Sequence, residues 1–253
     1  MDWLYEEHGQ FVDLGFADPP YNLEKLYEGY TDDRKDQEYL EWCNEWLLRY
    51  VKLLKPNGTL FVLNLPKWTT HHAVLLNSHL YLQNWIVWDA LSDPRGRVMP
   101  AHYGLLHYTV HPTNFTLNRL EPVEPADRCL RPKCIKSRPA DIFRENLTNI
   151  WHDVHRIKHK KDRDAHPCQL PEKLLDRVIR LASNPGDVVL DAFLGTGTSA
   201  VIAKKLGRVF VGVERDPSYI TITEARLARA ENGIGKPKTS QTEIEQPIQL
   251  ELF

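Results

Sequence analysis

The chain has 253 residues, of which 42% are hydrophobic and 26% charged, and its formal net charge is -2. This length is enough for one sizeable hydrophobic core, which favours a single α/β domain. No apolar run approaches twenty residues, and no charged N-terminal region precedes an apolar stretch, so membrane insertion and export are not expected. Four cysteines are too few for a disulfide framework at this length, and we expect a cytoplasmic protein.

The first part of the chain alternates strands and helices. Residues 11–17 are a short apolar run that ends at Asp18-Pro19-Pro20-Tyr21, since proline cannot donate to a strand ladder. Apolar residues recur at helical spacing over 38–54, and Lys55-Pro56-Asn57-Gly58 then stops the helix. Further elements are expected as strand 59–65, helix 71–79, strand 80–88 and strand 102–110. This alternation is typical of a parallel sheet.

A long irregular segment separates this part from a second α/β unit. Residues 112–164 are rich in Pro, Arg and Lys with weak periodicity, which predicts an inserted loop or small subdomain anchored locally at Ile150-Trp151. The elements expected after it are helix 171–183, strand 188–190, helix 199–206, strand 209–213 and helix 217–230. From Glu231 the composition turns polar, which predicts a disordered tail. The predicted fold class is therefore α/β, Rossmann-like and mostly parallel, with one domain over 1–230 and a flexible tail over 231–253.

A glycine turn follows the expected strand at 188–190. Gly195 and Gly197 allow the backbone to approach a ligand closely, at φ angles that other residues resist. Glu214 ends the next strand, 19 residues after Gly195, where an acid can accept hydrogen bonds from both ribose hydroxyls. Dinucleotide and S-adenosylmethionine sites share these features, so the spacing alone leaves both possible.

Two motifs resemble those of a known enzyme family and favour one of these two cofactors. Residues 191–198, D-A-F-L-G-T-G-T, resemble the D-x-F-x-G-x-G-T motif of amino-methyltransferases and lack the third glycine of the dinucleotide fingerprint. Residues 166–171, H-P-C-Q-L-P, are similar to the H-P-x-Q-x-P segment of the same enzymes, which closes the cofactor pocket. The resemblance implies S-adenosylmethionine as cofactor. The cofactor-binding residues that it implies are Asp191, Phe193, Gly195, Gly197, Thr198, Glu214, His166 and Gln169.

Residues 18–21 match the D-P-P-Y motif of these enzymes. An aromatic amine attacks a methyl group poorly until acceptors hold its hydrogens, because its lone pair is delocalised into the ring. The Asp18 carboxylate and the Pro19 carbonyl are suited to that task, and the rigid Pro19-Pro20 pair fixes both acceptors. Tyr21 would stack on a base extruded from the duplex. The resemblance therefore implies that Asp18, Pro19, Pro20 and Tyr21 are catalytic.

The order of the motifs narrows the family. The catalytic motif comes first, a basic insert follows and the cofactor glycines come last, which resembles the β group of DNA amino-methyltransferases from about residue 12 to residue 228. This resemblance implies site-specific methyl transfer to N6 of adenine in DNA by direct displacement. N4-cytosine methylation needs the same acceptors and is the first alternative. An RNA-base or protein-amide substrate, or a catalytically silent DNA-binding or clamp-associated module, are further alternatives. Relatives usually carry a Gly-Asp strand before D-P-P-Y that contacts the cofactor's adenine, and for this chain we expect either a truncated start or partial substitution by Asp2.

The basic insert is the expected contact with double-stranded DNA. Between Arg128 and Arg163, eleven Lys and Arg stand against four Asp and Glu, so this stretch carries +7 and the rest of the chain -9. Local positive charge of this kind is what phosphate contacts require. The candidate DNA-binding residues are Arg156, Lys158, Lys160, Lys161 and Arg163. Residues 92–102 are a candidate lining of the base pocket.

Two cysteine patterns suggest other chemistry. Pro167-Cys168-Gln169 and Glu145-Asn146-Leu147 resemble the P-C-Q and E-N-V segments of cytosine-C5 methyltransferases, but in those enzymes the cofactor motif comes before the cysteine. Cys129 and Cys134 could bind zinc with nearby histidines, although their spacing is loose for such a site, and no metal is our prediction. The histidines in question are His152, His155 and His159.

The chain ends in Q-L-E-L-F, which looks like the Q-L-x-L-F peptide by which bacterial replication proteins dock on the sliding clamp. The resemblance implies that Leu and Phe anchor the peptide in a preformed groove. The residues involved are Gln249, Leu250, Leu252 and Phe253. The bacterial sliding clamp is therefore a possible partner besides DNA.

Overall fold

The computed structural model of the protein describes residues 1–27, 30–90, 101–120, 147–155, 169–233 and 249–252. The helices of these ranges are α1 (Asp2–His8), α2 (Asp36–Leu53), α3 (Pro66–Leu76), α4 (Glu172–Ala182), α5 (Thr198–Lys205) and α6 (Pro217–Gly233). The strands are β1 (Val12–Ala17), β2 (Lys25–Tyr27), β3 (Tyr30–Asp32), β4 (Leu54–Asn64), β5 (Tyr81–Asp89), β6 (His102–Thr109), β7 (Ile150–Trp151), β8 (Val188–Asp191), β9 (Val209–Glu214) and β10 (Gln249–Leu252).

One mixed sheet contains most of these strands. Within the described ranges its order is β10-β9-β8-β1-β4-β6-β5-β7, and β2 and β3 pair separately as an antiparallel hairpin. In the large sheet, β6 runs antiparallel to both of its neighbours, and the other pairs are parallel. The predicted α/β fold with a mostly parallel sheet is confirmed. The division of the chain into domain, insert and tail stays a prediction.

The order in which successive strands are added reverses at the centre of this sheet. From β1 the chain passes through α2 to β4 on one side, and from β8 through α5 to β9 on the other. Crossovers of one hand that leave in opposite directions put their helices on opposite faces. Accordingly α1, α2 and α3 pack as one group, and α4, α5 and α6 as another. A crevice opens at such a switch point, outside the carboxyl ends of β1 and β8.

The two central strands are tied to α2 by one buried hydroxyl. Tyr50 donates a hydrogen bond of 2.6 Å to the Phe16 carbonyl of β1 and accepts one of 2.7 Å from the amide of Ala192, just after β8. Tyr50 and Phe16 are both fully buried in the core. The ends of β1 and β8 are therefore held at a fixed separation beneath the crevice.

The element boundaries differ from the predicted ones in two informative places. The sequence predicted a helix at 71–79, but α3 begins at Pro66, because proline at the first helical position leaves no amide without a partner. β4 begins at Leu54, directly after α2, rather than at Thr59. Its register with β1 jumps between the Val12 and Leu14 pairings, so Lys55-Pro56-Asn57-Gly58 forms an irregularity in the strand instead of a loop before it.

The hairpin β2–β3 and the strand β10 were not expected from the sequence. The predicted disorder of the tail is wrong for residues 249–252, which pair in parallel with β9, from Gln249 opposite Val211 to Leu252 opposite Glu214. Isolated short strands gain little by themselves, and β10 is stabilised by the exposed edge that β9 offers. The remaining residues of the expected tail, 234–248 and Phe253, lie outside the described ranges.

Candidate active site

A cavity of about 360 Å³ lies at the switch point. The register of β1 and β8 places Phe16 opposite Asp191, so the residues that follow these two strands emerge side by side. Segments from three strand ends line the cavity, namely Asp18 to Tyr21 after β1, Asp191 to Thr196 after β8, and Glu214 to Asp216 after β9. The sequence-predicted catalytic and cofactor segments therefore meet in one cavity.

The glycine turn on the β8 side is built from its own hydrogen bonds. Asp191 accepts the Phe193 amide at 2.9 Å through one carboxylate oxygen and the Ser199 hydroxyl at 2.5 Å through the other. Gly195 and Gly197 have φ angles of 52° and 74°, in the left-handed region that favours glycine. A Cβ on Gly197 would lie only 2.3 Å from a side-chain carbon of Thr223. Both glycines are thus required by the geometry of this turn.

Glu214 connects the end of β9 to the same turn. One of its carboxylate oxygens accepts the Gly195 amide at 2.7 Å, and the other accepts the Asp216 amide at 2.9 Å. Burial raises the pKa of Glu214 above its ordinary value, although these backbone amides oppose the shift. A carboxylate oxygen has lone pairs for more than one hydrogen bond, so Glu214 can still accept hydroxyl donors from the cavity.

The D-P-P-Y segment on the β1 side is held by donors from α2 and α3. Tyr39 donates to the Pro20 carbonyl at 2.7 Å, and the Trp68 indole donates to the Tyr21 carbonyl at 2.8 Å. Among the hydrogen bonds of the described residues, none uses the Pro19 carbonyl. This carbonyl therefore remains an available acceptor beside Asp18.

The pKa of Asp18 departs strongly from its ordinary value. Burial raises its pKa to about 7, and the nearby Asp191 carboxylate raises it further, whereas the Tyr21 hydroxyl and Lys25 act in the opposite direction. Burial likewise raises the pKa of Asp191 to about 6. Two carboxylates that share a cavity in this way favour a positively charged ligand between them.

Tyr21 contacts both the acid and an aromatic pair. Its hydroxyl donates to Asp18 Oδ1, and its ring is tilted against Tyr103 at 5.5 Å between centroids. Tyr103 in turn stacks on Trp88 at 5.0 Å. Tyr21 is only 8% exposed in this arrangement. Its ring must therefore move before it can offer a face to an incoming base.

The chain is similar to a known protein family. The model of the N6/N4 methyltransferase family, described as DNA methylase, matches residues 12–225. The chain belongs to this N6/N4 DNA methylase family. The matched range includes both motifs that line the cavity.

The chain is also similar to individual methyltransferases. The type II methyltransferase M.BamHI of Bacillus amyloliquefaciens is 38% identical over 213 residues, which are 80% of this chain and 50% of that protein. M.HpaI of Haemophilus parainfluenzae is 36% identical over 228 residues, 88% of this chain and 70% of that protein. The DNA adenine methyltransferase YhdJ of Escherichia coli K12 is 30% identical over 228 residues, 85% of this chain and 76% of that protein. The chain thus spans half the length of M.BamHI.

Solved structures establish the fold. The M1.HpyAVI–SAM complex has a TM-score of 0.63 and 21% identity, and the match covers 89% of this chain and 93% of that one. The cytosine-N4-specific PvuII DNA methyltransferase has a TM-score of 0.60 and 17% identity, over 92% of this chain and 82% of that one. The methylase therefore has the fold of S-adenosylmethionine-dependent methyltransferases. The helices of its described ranges are each too short or too polar to cross a membrane.

Several cavity residues carry no recognisable motif. Arg34 and Trp42 line the cavity from the start of α2, and Leu175 and Tyr219 line it from α4 and α6. Gln169, which the H-P-x-Q-x-P resemblance did predict, also lines the cavity. Only the helical spacing of Leu175 gave a signal, and that signal indicated burial rather than a ligand.

Other predicted residues lie elsewhere. Asp2 does not replace the missing Gly-Asp, because it begins α1 on the surface and accepts a 2.8 Å hydrogen bond from Arg49. The remaining predicted positions lie outside the described residues, and they are His166, the basic residues Arg156, Lys158, Lys160, Lys161 and Arg163, the cysteines Cys129, Cys134 and Cys168, and residues 92–100. Within the described ranges, no cluster of His, Cys, Asp or Glu has the arrangement of a metal site.

The segment that leads into the basic residues is firmly anchored. Asp153 accepts two hydrogen bonds from the Arg177 guanidinium, at 2.9 and 2.5 Å, which lower the pKa of that carboxyl well below its ordinary value. Arg177 also lies over the buried Trp151 ring at 5.0 Å. Because Arg177 belongs to α4, the chain enters its basic stretch next to the helix that lines the cavity.

Proposed function

We propose that this methylase transfers the methyl group of S-adenosylmethionine to N6 of adenine in double-stranded DNA. The observation that carries the proposal is the meeting of Asp18 and the open Pro19 carbonyl with the Gly195 turn in one cavity. The names of M.BamHI, M.HpaI and YhdJ support a DNA substrate, and a DNA substrate in turn supports a cytoplasmic location.

The cavity fits S-adenosylmethionine by charge and by hydrogen-bond capacity. Burial raises the pKa values of Asp18 and Asp191, the Asp191 carboxylate raises that of Asp18 further, and a cationic ligand favours the ionised form of both. Glu214 retains lone pairs for the ribose hydroxyls. When bound, the cofactor supplies a methyl group on a positively charged sulfur.

Each cofactor residue then has a separate task. Glu214 holds the ribose, and Gly195 and Gly197 let the backbone come close to the ligand. Asp191 keeps the turn in place through Phe193 and Ser199. The other residues that we assign to the cofactor are Phe193, Thr198, His166 and Gln169.

The D-P-P-Y residues act on the target amine. Asp18 Oδ and the Pro19 carbonyl oxygen accept its two hydrogens, so the nitrogen lone pair leaves conjugation and points toward the methyl group. Tyr21 gives up its hydrogen bond to Asp18 and stacks on the extruded base. After transfer, the surplus proton of the amine passes to Asp18 Oδ, whose pKa of about 7 lets it release the proton to solvent. No covalent enzyme intermediate is needed.

Phosphate contacts come from the basic insert in this proposal. Arg156, Lys158, Lys160, Lys161 and Arg163 follow the segment that Asp153 and Arg177 anchor beside the cavity. Contacts of this kind fix the position of the duplex and carry no sequence information themselves.

The modified base is identified by mass spectrometry of nucleosides from plasmid DNA treated with the protein. We expect N6-methyladenine, which is absent after treatment with the Asp18→Ala protein. N4-methylcytosine would instead support the alternative substrate, which shares the acceptor geometry and for which the cytosine-N4-specific PvuII DNA methyltransferase is named. A protein that modifies neither base contradicts the proposal.

We further propose that Gln249, Leu250, Leu252 and Phe253 dock on the bacterial sliding clamp. The support is the Q-L-E-L-F sequence, and the pairing of β10 with β9 implies that docking must first release this strand. Deleting residues 249–253 should abolish retention on immobilised clamp and leave methylation of short duplexes unchanged. Retention of the shortened protein would contradict this partner.

A further inference from the structure

Arg34 occupies a defined position at the rim of the cavity. It lies between β3 and α2, and its backbone carbonyl accepts a hydrogen bond of 2.7 Å from the Asn22 side chain, which follows D-P-P-Y. Its guanidinium carbon lies 4.6 Å from the centre of the Trp42 ring. Both residues line the cavity. The backbone of Arg34 is thus tied to the residue that follows D-P-P-Y, and its guanidinium rests on Trp42 of α2.

Trp42 places this cation on a particular side of the cavity. Its ring packs edge-on against Phe193 at 5.8 Å, and Trp46 packs against the same ring at 5.1 Å. Phe193 follows β8, whereas Glu214 ends the neighbouring strand β9 on the side away from β1. Arg34 therefore stands across the cavity from the ribose-binding carboxylate.

The charges that line the cavity are unevenly distributed. Its described acids are Asp18, Asp191, Glu214 and Asp216, and its described cations are Arg34 and Arg215. Arg215 directly follows Glu214 in the chain, so it belongs to the β9 side. Arg34 is then the cation of the β1 side among the described lining residues.

A sulfonium donor has three substituents to accommodate. If its adenosyl group extends to Glu214 and its methyl group points to Asp18, the third substituent, an amino-acid chain, extends toward the Phe193 and Trp42 wall. We propose that Arg34 binds the α-carboxylate at the end of this chain. The proposal rests on the cofactor assigned under the proposed function and adds the residue that recognises its amino-acid end.

The chemistry of the pair suits this role. A guanidinium can offer two parallel N–H donors to a carboxylate along one edge while its face rests on an aromatic ring. Lysine concentrates the same charge on one nitrogen, so it cannot offer two parallel donors to a carboxylate while a flat face rests on a ring. Trp42 thus holds one face of the Arg34 guanidinium at the wall of the cavity.

Two ligands that differ only at the amino-acid end test this assignment. S-Adenosylhomocysteine carries the carboxylate, and 5′-methylthioadenosine keeps the adenosyl thioether without it. We expect Arg34→Met to weaken binding of S-adenosylhomocysteine roughly 10- to 100-fold, the loss of a charge-assisted hydrogen bond, measured by calorimetry. Binding of 5′-methylthioadenosine should change less than about threefold, which also reports that the variant is folded. The affinity of Arg34→Lys for S-adenosylhomocysteine should lie between those of the unchanged protein and Arg34→Met.

Lys67→Met is the matched control, because Lys67 lies over Trp68 at 4.0 Å but outside the cavity lining. It should bind both ligands like the unchanged protein. Equal losses for both ligands in Arg34→Met would overturn the role of Arg34. Normal binding of both ligands would overturn it as well, and either result would leave the cofactor assignment intact. If the unchanged protein binds neither ligand, the cofactor assignment itself fails.

Discussion

The D-P-P-Y segment and the glycine turn line the same cavity, but different kinds of element support them. The carboxylates of Asp191 and Glu214, at the ends of β8 and β9, hold the glycine turn by accepting the Phe193 and Gly195 amides. The D-P-P-Y segment instead depends on Tyr39 and Trp68, which donate to its carbonyls from α2 and α3. Damage to the turn should therefore affect cofactor affinity, and damage to the helix donors should affect the methyl-transfer rate.

The largest effect on cofactor affinity is expected from Gly197→Ala. The added Cβ would meet Thr223 at 2.3 Å, and the residue would keep a φ of 74°, so the turn must shift. We expect affinity for S-adenosylhomocysteine to fall about 100-fold, which corresponds to a strain of about 3 kcal/mol. Calorimetric titration measures the change.

Gly186→Ala separates backbone strain from the clash. Gly186 has a φ of 90°, but a Cβ there would meet no atom within 4 Å. This variant should lose about 1 kcal/mol of stability and keep its cofactor affinity. If it loses affinity like Gly197→Ala, the local account of the turn is wrong.

A smaller effect on a different quantity is expected from Tyr39→Phe. Loss of the hydroxyl leaves the partly buried Pro20 carbonyl without its donor, so the acceptors of D-P-P-Y become less well aligned. We predict that kcat falls about tenfold while the dissociation constant of S-adenosylhomocysteine stays within about twofold. Steady-state kinetics and calorimetry together distinguish the two parameters.

Tyr108→Phe is the control for lost stability. The Tyr108 hydroxyl is also partly buried and donates to Asn77 at 2.7 Å, far along the sheet from the cavity. Its removal should lower the melting temperature about as much as Tyr39→Phe without changing kcat. A tenfold loss of kcat in both variants would mean that stability, not alignment, limits the rate.

The smallest effect concerns pH. Asp18, with a pKa raised to about 7, and Asp191, raised to about 6, are ionised above these values and protonated below them. Ionised carboxylates favour the sulfonium of S-adenosylmethionine over the neutral sulfur of S-adenosylhomocysteine. The affinity for S-adenosylmethionine, divided by that for S-adenosylhomocysteine, should therefore fall about two- to tenfold when the pH is lowered from 8 to 5.5. A ratio that is independent of pH would contradict the assigned pKa shifts.

The sequence predicted the parts of this site that are local. An apolar strand followed by D-P-P, and another followed by Asp191 and two glycines, identify strand ends without further information. The role of Tyr39 could not be predicted, because helical spacing indicates only that it is buried, and its partner Pro20 depends on how α2 crosses β1. Residues 249–252 were misassigned for a similar reason, since their strand exists only where β9 offers an edge.

The central claim is that Asp18 accepts a hydrogen of the target amine and is not required to hold the adenosyl or amino-acid part of the cofactor. Single-turnover methyl transfer from pre-loaded S-adenosylmethionine to a short duplex tests it most directly, with unchanged protein and Asp18→Ala compared. We predict a rate loss of about 1,000-fold, with affinities for S-adenosylhomocysteine and DNA within about threefold of the unchanged protein. A rate within tenfold of the unchanged protein, or a parallel loss of cofactor binding, would contradict the claim.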